Sequence, residues 1–375
     1  MAYQQEQITT MPSSLPPREL LLKVSELFQG PLYVPSIIWS TQSQPTPPRT
    51  SLEILPGDLS DWESIELPSG AVKPHPKFPF VLVEGNLGIP KNILVGLYIT
   101  AIGISLHTSN VLETTAVSCV FILLNPSHQT ALNTRKRLIQ DGHIDPNKEL
   151  IFIELLMRGS LDAGKQSIIW DHRRWCLRNI HGVMGPSISL PGLQHWASSE
   201  EVEGFPRLTL STIRHELSII QRTCETYPRN YHAWSQWNFM INICYASIYT
   251  SDDSFQDFYA IIVQEVARLR SWVDQHISDY SAMHQLCQAQ KLVDSLSLSD
   301  RFRDFADGTQ NSLTLTQHAL SLVAVFPSHE SLWMYLRVSL ANLDPKERMK
   351  ILQSIEKPVP STSDYFRKRL LAWHA

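Results

Sequence analysis

No Cys-x-x-Cys pair occurs in the 375-residue chain, and its five cysteines, Cys119, Cys176, Cys224, Cys244 and Cys287, are scattered and odd in number. Single thiols in apolar helical sequence point to a reducing compartment and buried side chains, and away from disulfides or zinc. No basic cluster is present either. The formal net charge is -4 and the pI about 6.4, which leaves no electrostatic footprint for nucleic acid. The first residues, Met1-Ala-Tyr-Gln-Gln-Glu-Gln7, lack a basic stretch followed by an apolar core, so no secretory signal is expected. The most apolar window, Ile93 to Leu106, is interrupted by Gly96, Thr100, Gly103 and Ser105 and falls short of the ~20 residues a membrane span needs. A buried helix is expected there, in a protein of the cytoplasm.

What the chain does have is unevenly placed. Fourteen of the 24 prolines lie in the first 90 residues, including the run Thr41-Gln-Ser-Gln-Pro-Thr-Pro-Pro48. Such sequence cannot propagate a helix, so residues 1–79 read as a Pro-rich, partly disordered segment. One helix is expected within it, from Arg18 to Gln29, where Leu20, Val24, Leu27 and Phe28 share a face. Phe78 to Pro90 reads as a short strand or extended entry, with Gly85 and Gly88 permitting a turn. Residues 80–375 read as a helical domain. Apolar stripes recur at Val117/Val120/Phe121/Leu124, Leu150/Ile153/Glu154/Met157, Ile213/Leu217/Ile220/Cys224 and Phe255 through Val273. Gly182 to Phe205 reads as a long connection. Two further helices are expected at Pro345–Glu356 and Asp364–Trp373.

The helices come in pairs joined by polar or Pro-containing breaks, and a bulky residue follows one turn into each second helix. These anchors are Leu132, Trp170, Trp234, Met283 and Trp333, at intervals of 38, 64, 49 and 50 residues. A helix pair recurring every ~35–50 residues is the mark of an α-solenoid. The fold class is therefore all-α, an α-α superhelix of antiparallel helix pairs behind a Pro-rich N-terminal segment. Asn125, Asn230 and Asp279 suit capping of the second helices. Polar residues near the anchors, Asn133, Arg135, His172 and Arg173, can tie neighbouring joints together or line a surface. His172 and His232 have no companions at metal-ligand spacing and read as structural. Ala163-Gly-Lys-Gln-Ser167 lacks the first glycine of a phosphate-binding loop and is set aside. No Ser/His/Asp order, carboxylate pair or activated cysteine stands out, so no self-sufficient active site is expected.

Trp170-Asp-His-Arg-Arg-Trp175 and Asn230-Tyr-His-Ala-Trp234 match a signature close to Asn-Tyr-x-x-Trp-x-x-Arg-Arg. In this the chain resembles protein prenyltransferase α subunits, with five repeats across roughly 112–345. Leu132 and Met283 depart from the anchor Trp, and Trp237 and Leu286 from the Arg three residues on. Phe80-Val-Leu-Val-Glu-Gly-Asn-Leu-Gly88, with Leu-Leu-Asn-Pro126 and Arg135-Lys136, is similar to the family's repeat-containing protein 1 group. That resemblance implies the α subunit of a type III geranylgeranyltransferase, wrapped around a β subunit of the Rab geranylgeranyltransferase type. It implies that zinc and geranylgeranyl diphosphate sit on the β subunit, with no cofactor or metal in this chain. It also implies a protein substrate that already carries a lipid, such as a farnesylated SNARE. Arg229 and Tyr231 are the residues the resemblance brings near the diphosphate. Asn133, Arg135, Trp170, His172, Arg173, Asn230, His232, Trp234 and Trp333 are the repeat anchors, and a possible β-subunit interface. A helical-repeat adaptor without transferase activity is the alternative from another class. An α subunit of Rab geranylgeranyltransferase or farnesyltransferase is the alternative within the family.

Overall fold

The computed structural model describes residues 15–29, 51–57, 61–62, 66–75, 77–83, 86–104, 108–160, 162–184, 204–250, 255–297, 314–341, 343–355 and 363–374. The Pro-rich run from Thr41 to Pro48 lies outside them. The chain falls into two compact units, Met1–Gly182 and Val183–Ala375.

The first unit contains helices α1 (Pro17–Gln29), α2 (Lys91–Ile104), α3 (Val111–Leu124), α4 (Gln129–Gln140), α5 (Pro146–Gly159) and α6 (Ser167–His181). Strands β1 (Ser51–Leu55), β2 (Val81–Val83) and β3 (Asn86–Pro90) form a three-stranded sheet in the order β1-β3-β2. β1 runs parallel to β3, in register from Ser51 with Asn86 to Leu55 with Pro90, and β2 runs antiparallel to it. The α1 helix expected from Arg18 starts one residue earlier, at Pro17, where a proline is tolerated because its missing N–H would have no helical partner. Its face of Leu20, Leu21, Val24, Leu27 and Phe28 is buried, and it packs on α2, α3 and α5.

The sheet crosses the boundary expected at 79/80. β1, from the segment read as partly disordered, pairs with β3 beyond the boundary, and the ladder ties both into one unit. Pro56 follows β1 directly, so proline ends this strand rather than preventing it. Gly159 at the end of α5 lies so close to β1 that an added Cβ would stand 1.7 Å from the Leu52 carbonyl oxygen. Only glycine permits that approach of helix to strand.

Helix α2 also differs from expectation. Ile93, Leu94, Leu97 and Ala101 are buried, but Val95, Ile99 and Ile102 are exposed, so the helix is buried on one side only. Helix α3 fits the fully buried description better, with every residue from Glu113 to Leu123 buried.

The second unit contains α7 (Leu210–Thr226), α8 (Tyr231–Thr250), α9 (Phe255–Gln275), α10 (Tyr280–Ser297), α11 (Leu315–Val325), α12 (Glu330–Ala341), α13 (Pro345–Ile355) and α14 (Ser363–His374). Successive helices from α7 to α10 pack in sequence order; α12 packs on α10 and α11, and α14 packs on α12. Residues 185–203, most of the long connection, lie outside the described residues. Beside them the Met184 N–H donates to the Phe205 carbonyl at 2.8 Å. Fourteen α-helices and one small sheet among the described residues make the class all-α. No described helix is long and apolar enough to cross a membrane.

Candidate ligand-binding groove

Four breaks between paired helices have the same length. Asn125–His128, Tyr227–Asn230, His276–Asp279 and Phe326–His329 each span four residues. Proline at the second position of three of them, Pro126, Pro228 and Pro327, stops the preceding helix by removing a donor. The last residue opens the next helix. His128 Nδ1 accepts from Ala131 N–H at 3.1 Å, Asn230 Oδ1 from His232 and Ala233 N–H at 3.2 Å, and Asp279 Oδ1 from Ala282 N–H at 3.1 Å. Asn125, expected as a cap of α4, instead binds Ser127 within the break, and His128 is the cap. The anchors Leu132, Trp234, Met283 and Trp333 all stand four residues after the final break residue, and all are buried.

The anchor indoles show how the joints are fastened. Trp170 and Trp333 donate to the carbonyl six residues back, Gly164 at 2.9 Å and Pro327 at 2.8 Å. Trp234 reaches forward instead, donating to Asp279 Oδ2 at 3.2 Å, and Trp272 donates to the same oxygen at 3.2 Å. Asp279 was read only as a cap; its second oxygen also joins two indoles.

Three residues beyond the anchor, the side chain reaches a carboxylate on the first helix of the following pair. Arg135 pairs with Glu149, Nε to Oε1 at 2.8 Å, and Trp237 donates to Glu265 Oε2 at 2.6 Å. Trp237 thus departs from the Arg of the signature while keeping a donor for the same kind of partner. Neither glutamate was singled out from sequence. His172 completes the first cluster, with Nε2 donating to Glu149 Oε1 at 2.9 Å, since an ionised carboxylate can only accept. Burial would raise the Glu149 carboxyl, but the Arg135 charge, with hydrogen bonds from Arg135 and His172, outweighs it and holds the group at about 2. Arg173 donates to the Leu150 carbonyl at 2.9 Å.

These contacts sort the sequence-derived residues. Arg135, Trp170, His172, Arg173, Asn230, Trp234 and Trp333 are buried, and the contacts above use them to fasten repeats. Asn133 is exposed and His232 half-buried. All five cysteines are buried, and burial pushes the Cys119 and Cys287 thiols up to about 12, which removes them as nucleophiles.

Arg229 differs from all of these. It occupies the third position of its break, where the other three breaks carry Ser127, Ser278 and Ser328. It is exposed and has φ 62°, the sole non-glycine residue among those described in the left-handed region. For a residue with a Cβ that conformation costs about 1–2 kcal/mol. Arg229, Ser278 and Ser328 meet at an open groove of about 610 Å3, which Tyr280, His284, His329 and Glu330 also line. Met283, Cys287, Met334 and Val338 give the groove an apolar side. Tyr231 does not line it; its ring is 69% exposed and meets His232 edge-on at 5.5 Å. The structure therefore separates Arg229 from Tyr231 and joins it to Tyr280 of the next repeat, a residue to which sequence assigned no role.

The groove suits an anionic group attached to an apolar one. Arg229 supplies permanent positive charge with a planar fork of donors. The first turns of α10 and α12 open onto the groove, but Asp279 already caps the α10 turn through Ala282 N–H, which leaves Arg229 as the groove's permanent cation. Burial and Lys291 lower the His284 pKa, keeping it neutral near pH 7. Among the described residues no group of three or more His, Cys, Asp or Glu side chains is placed to hold a metal ion.

Residues 213–244, the α7–α8 pair with the Arg229 break at its centre, match the protein prenyltransferase alpha subunit repeat. The chain carries a protein prenyltransferase alpha subunit repeat. Beyond this repeat, it is similar to protein prenyltransferase alpha subunit repeat-containing protein 1 of Danio rerio, 25% identical over 286 residues, 69% of this chain and 63% of that one. The Homo sapiens protein of the same name is 26% identical over 292 residues, 69% of this chain and 68% of its own. The geranylgeranyl transferase type-2 subunit alpha of Saccharomyces cerevisiae is 23% identical over 221 residues, covering 57% and 54%. The chain thus spans just under two thirds of the Danio rerio relative and about half of the yeast one. The repeat assignment places Arg229 in the break between the repeat's two helices, the position from which it reaches the groove.

Proposed function

We propose that this chain is the α subunit of a heterodimeric protein prenyltransferase, one that transfers a geranylgeranyl group to a cysteine of a protein substrate. In this reading it scaffolds a β subunit of the Rab geranylgeranyltransferase type, and zinc and geranylgeranyl diphosphate belong to that partner. The observation that carries the reading is the Arg229 groove, where one permanent cation faces an open space with an apolar side. The relatives' names support the transferase class and the geranylgeranyl group. Arg229 would hold the diphosphate end of the lipid donor. As the carbon–oxygen bond to the diphosphate breaks, negative charge builds on the leaving oxygen, and a fixed guanidinium stabilises it more in the transition state than in the ground state. Tyr280, exposed on the same groove, offers a hydroxyl from the following repeat. The substrate would be a protein already bearing one lipid, of the SNARE type, for which a second chain converts marginal membrane attachment into stable anchoring. The reaction would take place in the cytoplasm.

Co-expression with such a β subunit tests this. The account expects a stable one-to-one complex that incorporates labelled geranylgeranyl into a farnesylated SNARE. A chain that never joins the β subunit and supports no incorporation would instead be a helical-repeat adaptor.

A further inference from the structure

The C-terminal helix α14 touches the groove without entering it. It lies along α12, where Phe366, Leu370 and Trp373, one stripe at helical spacing, meet Trp333, Met334 and Arg337. The Arg337 guanidinium sits over the Trp373 ring. At the start of α12 stands Glu330, whose Oε1 accepts from Arg369 Nη1 of α14 at 3.0 Å. Glu330 and Met334 face both ways, bordering the α14 contact and lining the Arg229 groove.

Glu330 is the one carboxylate among the described residues that line the groove. Left alone, it would oppose the Arg229 charge and repel an anion. We propose that Arg369 is a specificity-determining residue acting through Glu330: by pairing with that carboxylate it leaves the Arg229 charge uncompensated, so the groove selects an anionic ligand of the diphosphate class. The inference rests on the reading of the groove given above. The Glu330 and Arg369 side chains are 55% and 49% exposed, so solvent screens the pair and the effect is modest and dependent on salt. Arg369 has no place in the groove itself and is a positioning residue.

The test is calorimetric titration of the full chain with inorganic pyrophosphate at low ionic strength, for the wild type, Arg369→Ala, Glu330→Gln and the double variant. Arg369→Ala is expected to weaken binding about 2–5-fold, a loss of the size an exposed ion pair supports. Glu330→Gln is expected to bind at least as tightly as the wild type, and the double variant like Glu330→Gln alone. Adding salt should shrink the Arg369→Ala effect. Unchanged binding in Arg369→Ala overturns the proposal. So does a loss that Glu330→Gln fails to restore, because that marks Arg369 as a support for α14 rather than a charge on Glu330. Arg229→Ala separates the two readings: if the wild type binds no pyrophosphate, or Arg229→Ala binds it equally, the anionic groove fails and this inference with it. If binding depends on Arg229 but not on Arg369, only this inference fails.

Discussion

The Trp234 indole donates its N–H to the Asp279 carboxylate at 3.2 Å, across 45 positions of sequence, so the second helix of one pair is fastened to the cap of the next. Both side chains are buried, and Trp272 shares the same oxygen. One carboxylate therefore satisfies two indoles and the first turn of α10.

Asp279 should consequently be costly to remove. Asp279→Ala leaves two buried indole donors unpaired and α10 uncapped, and is expected to lower stability by about 3–5 kcal/mol. Asp279→Asn keeps a neutral acceptor and should lose about half as much. Urea unfolding followed by tryptophan fluorescence measures both; equal, small losses would show that Asp279 is only a cap.

The Arg135–Glu149 pair gives stability a signature in acid. Both side chains have no exposure to solvent. Glu149 is held at about 2 against an ordinary 4.5, so its contribution is complete above about 4.5 and is lost as the pH falls toward 2. Urea unfolding at several pH values should show the wild type losing more stability across that window than Glu149→Gln. At pH 7, Arg135→Met alone is expected to cost about 3–5 kcal/mol, since it strands a buried carboxylate.

Trp237 tests the contact between an anchor-side donor and the carboxylate of the next pair. Trp237→Phe removes the donor to Glu265 and part of one ring, and should cost about 2–3 kcal/mol. The companion Glu265→Gln also weakens the Arg268 ion pair on the same carboxylate, so its coupling to Trp237→Phe, rather than its own loss, reports the indole contact. A double-mutant cycle showing no coupling would make the contact incidental.

Arg229 carries a conflict between stability and use. Glycine adopts its left-handed conformation without strain, though glycine also frees the unfolded chain by up to about 1 kcal/mol. Arg229→Gly is therefore expected to leave stability unchanged or raise it by up to about 1 kcal/mol, while removing the groove's permanent cation. A clear fall in the unfolding midpoint would mean that Arg229 holds the break together rather than serving the groove.

The parts of the fold legible in sequence are those set by near neighbours. A proline-containing break, a capping side chain and a bulky residue four positions later recur within ten residues, and periodicity alone places the helices around them. The partners of those side chains were not legible. Glu149, Glu265 and Asp279 find Arg135, Trp237 and Trp234 at separations of 14, 28 and 45 residues, and a buried carboxylate leaves no periodic trace. Strand β1 escaped notice for a similar reason, since five residues before a proline become a strand only through the distant β3. At the groove, sequence pointed to Arg229 but paired it with its neighbour Tyr231. The helical turn carries Tyr231 away, and the 49-residue repeat brings Tyr280 in.

The most direct test of the central claim is geranylgeranyl transfer by the purified complex of this chain with a Rab geranylgeranyltransferase-type β subunit, comparing wild type with Arg229→Glu. The account predicts transfer to a farnesylated SNARE by the wild type. For Arg229→Glu it predicts a loss of at least tenfold, about 1.4 kcal/mol of transition-state stabilisation, with the complex intact. Equal transfer by both proteins, or no transfer by an intact wild-type complex, would contradict it.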